Sequence, residues 1–300
     1  MKILNLGSIN VDYVYQTEHI VQPGETIASR GLAVHPGGKG ANQSVAMARA
    51  GAQVWHAGMV GNDTKWMKDR LSQEGVDTRF VRVAEDVPGG HAIIQVDTNA
   101  QNSIIIHGGA NQAIPAALLD ELLRSADDGD WLALQNEINL TPMAMAAARK
   151  AGVKVCFNPA PMDAAVLSYP LDAVNLFILN EIEAAQLAGV SAETPMETVL
   201  EQLHRRWPAA SVCITLGKDG ALFQSEATGL LRQRAYPVKA VDTTAAGDTF
   251  VGYFLHEWTG GAAPAVALEM ACRAAAITVS RPGAIPSIPL RQDVLSFSVK

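Results

Sequence analysis

The sequence WLALQNEINLTPMAMAAARKAGVKVCF, residues 131–157, contains two apolar runs on either side of a helical pattern. Trp131 to Leu134 and Val153 to Phe157 are short apolar runs typical of buried strands. Between them, residues 141–151 predict a helix with a proline in its first turn and Gly152 after its end. A strand, a helix and a strand in this order predict two parallel strands joined by a crossover helix.

Short apolar runs and helical patterns alternate in the same way along the rest of the chain. The pattern of residues 41–50 predicts another helix, which ends at Gly51. This alternation predicts an α/β fold in which helices flank a mostly parallel central sheet on both faces. The remaining runs that predict buried strands are Lys2 to Leu6, Val54 to Val60, Leu176 to Leu179 and Val212 to Thr215.

Two extended, β-rich regions interrupt the alternation, at about residues 13–34 and 90–106, the second with a turn at Asn99 and Ala100. They are expected to form either a small separate sheet or two ordinary hairpins of the core. A separate sheet would serve as a flap over the main domain or as a contact between subunits. A further β segment is expected over Ser225 to Ala240.

The composition indicates a globular chain. Of its 300 residues, 48% are hydrophobic and 18% are charged, which supplies a large core and excludes the composition of a disordered chain. This length suggests about two domains, but α/β folds commonly use it for one, and we expect a single domain over residues 1–300. The net charge of -7 provides no basic field, so a nucleic-acid partner is not expected.

The cysteines and the amino terminus bear on the compartment. The three cysteines, Cys156, Cys213 and Cys272, are far apart and form no CxxC pair, which argues against a disulfide framework and a zinc site. Buried thiols in a reducing compartment are expected instead. Polar Asn10 and Asp12 interrupt the first apolar stretch, which fits neither a signal peptide nor a membrane span. The sequence therefore predicts a cytoplasmic protein without a membrane partner.

The segment PGGKGANQ, residues 36–43, places three glycines and Lys39 just before a helix. Glycines let the backbone approach a ligand closely, and the start of a helix favours negative charge. The segment is not a P-loop, because Gly40 follows Lys39 where Ser or Thr is required. Taken alone, a structural turn that begins the helix explains the segment as well as a binding loop does.

The segment DTTAAGDTF, residues 242–250, places small residues before an amphipathic helical pattern. Free N–H groups at the start of this helix would form an anion hole, and Asp248 beside it could accept the proton of an attacking hydroxyl. Asp242 could equally be an N-cap, and Asp248 a carboxylate favoured by the helix dipole. The segment alone supports both interpretations.

Two further segments follow predicted strands. NEIE, residues 180–183, reads first as a capping box, and it also places Glu183 where an outer-sphere ligand of hydrated magnesium could lie. Capping and magnesium binding are compatible. TLGKDG, residues 215–220, reads first as a hairpin turn and second as a backbone platform for a nucleotide.

In combination, these motifs resemble the ribokinase family, also called the phosphofructokinase B family of carbohydrate kinases. The resemblance covers nearly the whole chain, and its elements occur in the family's order. A single GGKG would be weak evidence, but the ordered set is strong. Its elements are GSINVDY (7–13), GGKGANQSVAMARAG (37–51), NPAP (158–161), NEIE, TLGKDG, DTTAAGDTFVGYF (242–254) and SRPGAIPSIP (280–289).

The resemblance implies an architecture and a set of binding residues. It implies a mostly parallel sheet flanked by helices, and a small β-sheet lid that closes over the sugar and often forms a homodimer contact. Sugar hydroxyls would be bound by Asn10, Asp12, Gly38, Lys39, Asn42 and Glu137. ATP would be bound by Asn180, Thr215, Gly217 and Gly220, with Glu183 holding Mg²⁺ through water. An activating monovalent cation, K⁺, would be held by Asp242, the carbonyls of Thr244, Thr278, Arg281 and Gly283, and Ser287.

The resemblance also implies an activity: transfer of the γ-phosphoryl group of MgATP to the primary hydroxyl of a pentose, with ribose the first expectation. Asp248 would be the catalytic base, and the amides of Ala245, Ala246 and Gly247 the anion hole. A kinase for deoxyribose, another sugar or a nucleoside is the alternative within the family. A non-catalytic sugar-binding regulatory protein on the same fold is a further alternative, although such a protein would be free to lose Asp248 or Gly247.

Overall fold

A computed structural model describes residues 1–99 and 101–298 of the chain. The strands are β1 (Ile3–Leu6), β2 (Asn10–Gln16), β3 (Gly31–Gly37), β4 (Val54–Gly61), β5 (Asp77–Ala84), β6 (Gly90–Val96), β7 (Asn102–His107), β8 (Trp131–Gln135), β9 (Lys154–Asn158), β10 (Leu176–Asn180), β11 (Ser211–Thr215), β12 (Ala221–Ser225) and β13 (Gly229–Gln233). The α-helices are α1 (Lys39–Ala50), α2 (Trp66–Gln73), α3 (Ala116–Arg124), α4 (Thr141–Ala151), α5 (Glu181–Ala188), α6 (Met196–Arg206), α7 (Ala246–Thr259), α8 (Pro264–Val279) and α9 (Arg291–Ser296).

The larger of two sheets has nine strands in the order β13-β12-β11-β10-β9-β8-β1-β4-β5. From β5 to β11 every neighbouring pair is parallel, and β12 and β13 add an antiparallel edge. The parallel strands are buried on both faces, as in β8, where all five residues from Trp131 to Gln135 are buried. The prediction of a mostly parallel α/β sheet is confirmed.

Helices cover both faces of this sheet, and each layer has its own apolar core. On one face, Met47 of α1, Met67 of α2, Phe254 of α7 and Leu268 of α8 share a core with Val294 of α9. On the other face the core contains residues of α3, α4, α5 and α6, namely Leu119, Met145, Ala184 and Leu200. In the described parts of the chain, none of the helices combines the length and apolarity that crossing a bilayer would require.

The second sheet has four strands in the order β3-β2-β6-β7. β2 pairs antiparallel with β3 and parallel with β6, and β6 pairs antiparallel with β7. The two β-rich regions therefore form one separate sheet, rather than two hairpins of the core. Its strands begin and end a few residues away from the predicted limits, and residues 17–30 form a connection without helix or strand. Ala100, in the predicted turn, lies outside the described residues.

The predicted β segment over Ser225 to Ala240 is wrong in its second half. β13 ends at Gln233, and residues 234–240 form no strand. The physical reason is that the only strand beside β13 is β12, which begins at Ala221 opposite Gln233, so in the described part of the sheet the chain after Gln233 has no strand to pair with. Pro237, which lacks a backbone N–H, lies in this unpaired stretch.

The strand order places a crevice at the carboxyl edge of the large sheet. From β1 the chain continues into β4 and β5 on one side, whereas β8 and β9 lie on the other. Connections diverge at such a point, and ligands of open α/β sheets bind beside it. The polar residues at or just after the carboxyl ends of β1, β8, β9, β10 and β11 include Ser8, Glu137, Asn158, Asn180 and Thr215.

Candidate active site

The loop before α1 passes so close to the end of β1 that it requires glycine. Gly38 has a φ of 92° and precedes the helix, and a Cβ on it would lie 2.8 Å from the Asn10 nitrogen. A Cβ on Gly40 would lie 2.4 Å from the Ser8 nitrogen. The Gly-rich segment is thus both the turn that begins α1 and a wall of the crevice. It presents Lys39 and Asn42 beside the strand ends.

Asp248 lies in the first turn of α7 and is 9% exposed. Two side chains of α1 donate to its carboxylate: Asn42 Nδ2 lies 3.0 Å from Asp248 Oδ2, and Gln43 Nε2 lies 3.0 Å from Oδ1. The structure therefore brings together two motifs that are 206 residues apart in sequence. Asn42 Oδ1 is buried and has no hydrogen-bond partner within the described ranges, so it can accept from a ligand hydroxyl.

The start of α7 differs in detail from the predicted anion hole. Ala245 takes the left-handed conformation with a φ of 59° as the N-cap residue, which Asp242 therefore is not. The Ala246 amide donates to the Thr243 carbonyl at 3.3 Å. In the described segments, the amides of Gly247 and Asp248 have no acceptor. The Asp248 amide was not predicted as an anion-hole donor, and the role of Ala245 and Ala246 stays a prediction.

Three predicted sugar-binding residues lie on or beside β2 and β8. Asn10 Oδ1 accepts from Asn111 Nδ2 at 2.7 Å. The side-chain nitrogen of Asn10, Nδ2, is therefore the group that can donate to a ligand. Glu137 accepts from the Lys39 amide at 3.1 Å and from the Ser8 hydroxyl. Asp12 follows Asn10 on the same face of β2, because side chains two apart share a face.

Electrostatics show that these charged side chains share one environment. Burial, together with the negative charges of Glu137 and Asp248, raises the pKa of Asp12 from its ordinary 3.8 to about 6. Burial also raises the pKa of Glu137. Burial alone would lower the pKa of Lys39, but the carboxylates of Asp248, Glu137 and Glu183 raise it above its ordinary value. Lys39 therefore stays protonated among carboxylates.

The NEIE motif forms the capping box that its sequence predicts. The Asn180 side chain accepts from the Glu183 amide at 2.8 Å, and Glu183 Oε2 accepts from the Asn180 amide at 2.9 Å. Glu183 is buried, and burial raises its pKa. Asn158 Nδ2 lies 3.5 Å from Glu183 Oε2 and 2.9 Å from the Ile178 carbonyl. The cap fixes a carboxylate at the edge of the crevice.

Two adjoining cavities lie at the start of α7. The smaller has a volume of about 200 Å³ and is lined by Lys39, Asn158, Glu183 and Asp248 among others. The larger, of about 480 Å³, is mostly apolar. Their linings share Thr215, Thr243 and Gly247. The larger cavity is also lined by Gly217, Lys218, Gly220, Ala235, Tyr236, Pro237, Val238, Ala240, Ala246, Phe250, Cys272, Ala275, Ala276 and Val279.

The predicted cation loop is only partly assembled by side chains. Burial alone would raise the pKa of Asp242. The N–H groups of Thr244 and Gly283 donate to its carboxylate at 2.9 and 2.8 Å, and their larger effect places the pKa below its ordinary value. The Thr278 hydroxyl donates to the Ala274 carbonyl and lies 3.1 Å from the Thr249 hydroxyl, and the Ser287 hydroxyl donates to the Ala284 carbonyl. Arg281 pairs with Asp293. Apart from Asp242, a cation here would depend mainly on carbonyl oxygens.

Several residues of the site were missed at the level of sequence. Gln43 and Asn158 contact each other and, respectively, Asp248 and Glu183, while Asn111 orients Asn10. Gln43 and Asn158 stood inside quoted motifs, and that position was the available signal. The apolar cavity residues around Cys272 gave no signal, because small apolar residues on a helix are typical of any core.

The chain matches known proteins over nearly its whole length. Residues 1–291 match the model of the pfkB family of carbohydrate kinases. The chain is 37% identical over 298 residues to the ribokinase of Haemophilus influenzae, covering 97% of this chain and 96% of that protein. It is 31% identical over 316 residues to the deoxyribokinase of Salmonella typhi, covering 99% and 100%. The structure of Arabidopsis thaliana ribokinase complexed with ribose and ATP is 32% identical, with a TM-score of 0.87 and coverage of 99% of each chain.

Proposed function

The chain belongs to the pfkB family of carbohydrate kinases and is a ribokinase-like, ATP-dependent sugar kinase, and we propose that its preferred acceptor is ribose. The proposal is supported by the ribokinase relatives and by the polar groups at the carboxyl edge of the large sheet. Asn10 offers a donor, Asp12 and Glu137 offer acceptors, and Asn42 Oδ1 is a buried acceptor without a partner in the described ranges. Several such groups in one crevice suit a ligand with adjacent hydroxyls.

The observation that carries the mechanism is the hydrogen bond from Asn42 to Asp248, whose carboxylate lines the smaller cavity. The preceding residue, Gly247, lines both cavities. The apolar cavity offers a place for an adenine ring, and the smaller one a place for phosphates beside Lys39. The sugar hydroxyl would then lie between the phosphates and Asp248. The proposed base, anion hole and phosphate site are thereby neighbours.

In the proposed reaction, the primary hydroxyl oxygen of the sugar forms a bond to the γ-phosphorus. The bond between that phosphorus and the β–γ bridging oxygen breaks, and ADP leaves. Asp248 accepts the hydroxyl proton, and the amides of Gly247 and Asp248, with those predicted for Ala245 and Ala246, stabilise charge on the transferred group. Lys39 adds positive charge beside the phosphates. Positioning and electrostatics supply most of the rate enhancement in phosphoryl transfer.

The residues present fit the two cations that the family implies. Glu183, buried and already accepting from Asn180, suits a hydrated Mg²⁺ held through water at the edge of the smaller cavity. A bound Mg²⁺ would neutralise charge on the phosphates. For K⁺, one candidate ligand is Asp242, whose carboxylate stays ionised. The other candidate ligands are Ser287 and the carbonyls of Thr244, Thr278, Arg281 and Gly283.

We further propose that the small sheet is the lid and a homodimer contact, within a single domain over residues 1–300. The strand register places the exposed side chains of Val34, Ile93 and Ile105 on one face of this sheet, and exposed apolar side chains grouped in this way are typical of a contact surface. The exposed apolar residues of the sheet are Leu32, Val34, Ile93, Ile104, Ile105 and Ile106.

The three buried cysteines fit a reducing, cytoplasmic setting.

The acceptor is tested by measuring kcat/KM for ribose, 2-deoxyribose, fructose, 2-keto-3-deoxygluconate and adenosine. We expect ribose to be highest and 2-deoxyribose to be lower by about 10- to 100-fold, since one buried hydrogen-bonding group would lose its partner. A higher value for 2-deoxyribose would support the second candidate, a deoxyribokinase, which the relative from Salmonella typhi favours. If no sugar releases ADP from ATP, the kinase assignment fails.

A further inference from the structure

Gln43 is a buried glutamine that contacts both Asp248 and Asn158. It follows Asn42 on α1 and is 1% exposed. Its Nε2 lies 3.0 Å from Asp248 Oδ1 and 3.2 Å from Asn158 Oδ1, so each of its two N–H bonds has one acceptor. Its Oε1 accepts from Gln135 Nε2 at 2.7 Å. Every polar group of this side chain is used.

The orientation of the Gln43 amide is fixed from the far end of a buried chain of amides. Asn5 Nδ2 lies 2.7 Å from the Gly40 carbonyl, which can only accept, so Asn5 must present Oδ1 to its other neighbour. That neighbour is Gln135 Nε2, at 3.1 Å, which in turn donates to Gln43 Oε1. Gln43 therefore has its nitrogen, and not its oxygen, towards Asp248. A backbone carbonyl of the Gly-rich segment thus sets the direction of the whole chain.

The far end of the amide chain is as buried as the near end. Asn5 Nδ2 also donates to Ser44 Oγ at 2.7 Å, and Ser44 Oγ lies 2.8 Å from His56 Nδ1. Asn5, Ser44 and His56 are completely buried, and burial lowers the pKa of His56 to about 4. His56 is therefore neutral at physiological pH. Buried polar groups cost free energy unless they are paired, so a chain that only filled space would be better built from apolar residues.

The amide chain ends at the carboxylate of Asp248, and this contact is the one that matters for function. Asn42 and Gln43, consecutive on one helix, each hold one oxygen of the same carboxylate. Two donors on two oxygens restrict rotation of the carboxylate about its Cβ–Cγ bond, which a single donor would allow. Both oxygens keep a further lone pair for a substrate proton.

We propose that Gln43 is a positioning residue, which fixes the orientation of the Asp248 carboxylate relative to the sugar hydroxyl. The same amide also donates to Asn158, whose own side-chain nitrogen lies 3.5 Å from the capping carboxylate of Glu183. Gln43 and Asn158 thus link the carboxylates of Asp248 and Glu183. The inference rests on the proposed role of Asp248 as the base. Gln43 touches neither substrate in this account, so its effect falls on the rate of the chemical step rather than on binding.

The test is steady-state kinetics of Gln43→Met, which keeps the shape of the side chain and removes its donors. We expect kcat to fall by about 10- to 100-fold, as misplaced reacting groups typically cost, with KM for ribose and for ATP within about threefold of wild type. Ser44→Ala is the matched control: it is the next residue of α1, equally buried and in the same chain of amides, but without contact to Asp248. It should keep kcat within about twofold of wild type.

A double-mutant cycle with Asp248→Asn separates positioning from packing. If Gln43 acts through Asp248, Gln43→Met should cost less than about threefold in the Asp248→Asn background. An equal cost in both backgrounds, or a normal kcat with raised KM values, would overturn the positioning role. Near-normal turnover of Asp248→Asn would instead overturn the proposed function itself. If Gln43→Met does not fold, Gln135→Leu removes the donor to Gln43 Oε1, and an unchanged kcat in that variant overturns the inference.

Discussion

Replacing Asp12 with asparagine should stabilise the sugar-free protein above about pH 6. Asp12 is a partly buried carboxylate whose pKa is raised from 3.8 to about 6, first by burial and then by the charges of Glu137 and Asp248. A shift of this size corresponds to about 3 kcal/mol of free energy of unfolding, lost when the ionised group is held in the folded chain. An asparagine at this position would have a similar shape and no charge, so most of that free energy should be recovered.

The pH dependence follows from the direction of the shift. The folded chain binds the Asp12 proton more tightly than the unfolded chain does, because its pKa is higher in the folded state. Below pH 3.8 both states are protonated and Asp12 costs nothing. The cost grows between pH 3.8 and about 6 and is complete above that range. The advantage of Asp12→Asn should therefore appear over this interval and then stay constant.

The assay is urea-induced unfolding of wild type and Asp12→Asn at a series of pH values, without sugar or nucleotide. Asp120→Asn, which removes a carboxylate from the exposed side of α3, is the control and should give a difference near zero throughout. An Asp12→Asn difference that does not change with pH, or that favours wild type at neutral pH, would refute the reasoning. The same variant should bind ribose more weakly, because its side chain no longer offers a carboxylate.

Three shorter predictions test other parts of the site. Gly37→Ala should raise KM for ribose by about 10- to 100-fold, because its Cβ would lie 2.2 Å from Asp12 Oδ2 and displace that side chain; Gly31→Ala, at the open end of β3, should not. Ala275→Phe should fill the apolar cavity and raise KM for ATP at least about tenfold with KM for ribose unchanged, whereas Ala275→Ser should have little effect. Ile105→Lys should convert a dimer to monomers in sedimentation velocity, and an unchanged sedimentation coefficient would argue against the small sheet as the contact.

The sequence predicted those parts of the fold that depend on local pattern. The strand, helix and strand of residues 131–157 and the Asn180–Glu183 cap occur as predicted, because burial and capping act over a few neighbouring residues. The extent of the β segment after Ser225 was not predictable in the same way. Whether that segment pairs depends on the neighbouring strand, which the local sequence does not specify.

In the site, too, the residues within local motifs could be predicted from the sequence, whereas the contacts between distant residues could not. The charged members could be predicted because their motifs match a family pattern, but the contact of Asn42 with Asp248 joins residues 206 positions apart. Gln43 and Asn158 lie inside motifs, yet their roles depend on which group each amide faces, and this is set by Gly40 through Asn5 and Gln135. The apolar cavity near Cys272 is formed by separate segments, none of which has a distinctive composition.

The central claim, that Asp248 is the base of a sugar kinase, is tested most directly by comparing binding and turnover in Asp248→Asn. Calorimetry should show ribose and ATP affinities within about threefold of wild type, since asparagine keeps the shape of the side chain. Turnover should fall by about 10²- to 10⁴-fold, the usual contribution of a general base. Turnover within about tenfold of wild type, with binding intact, would contradict the account.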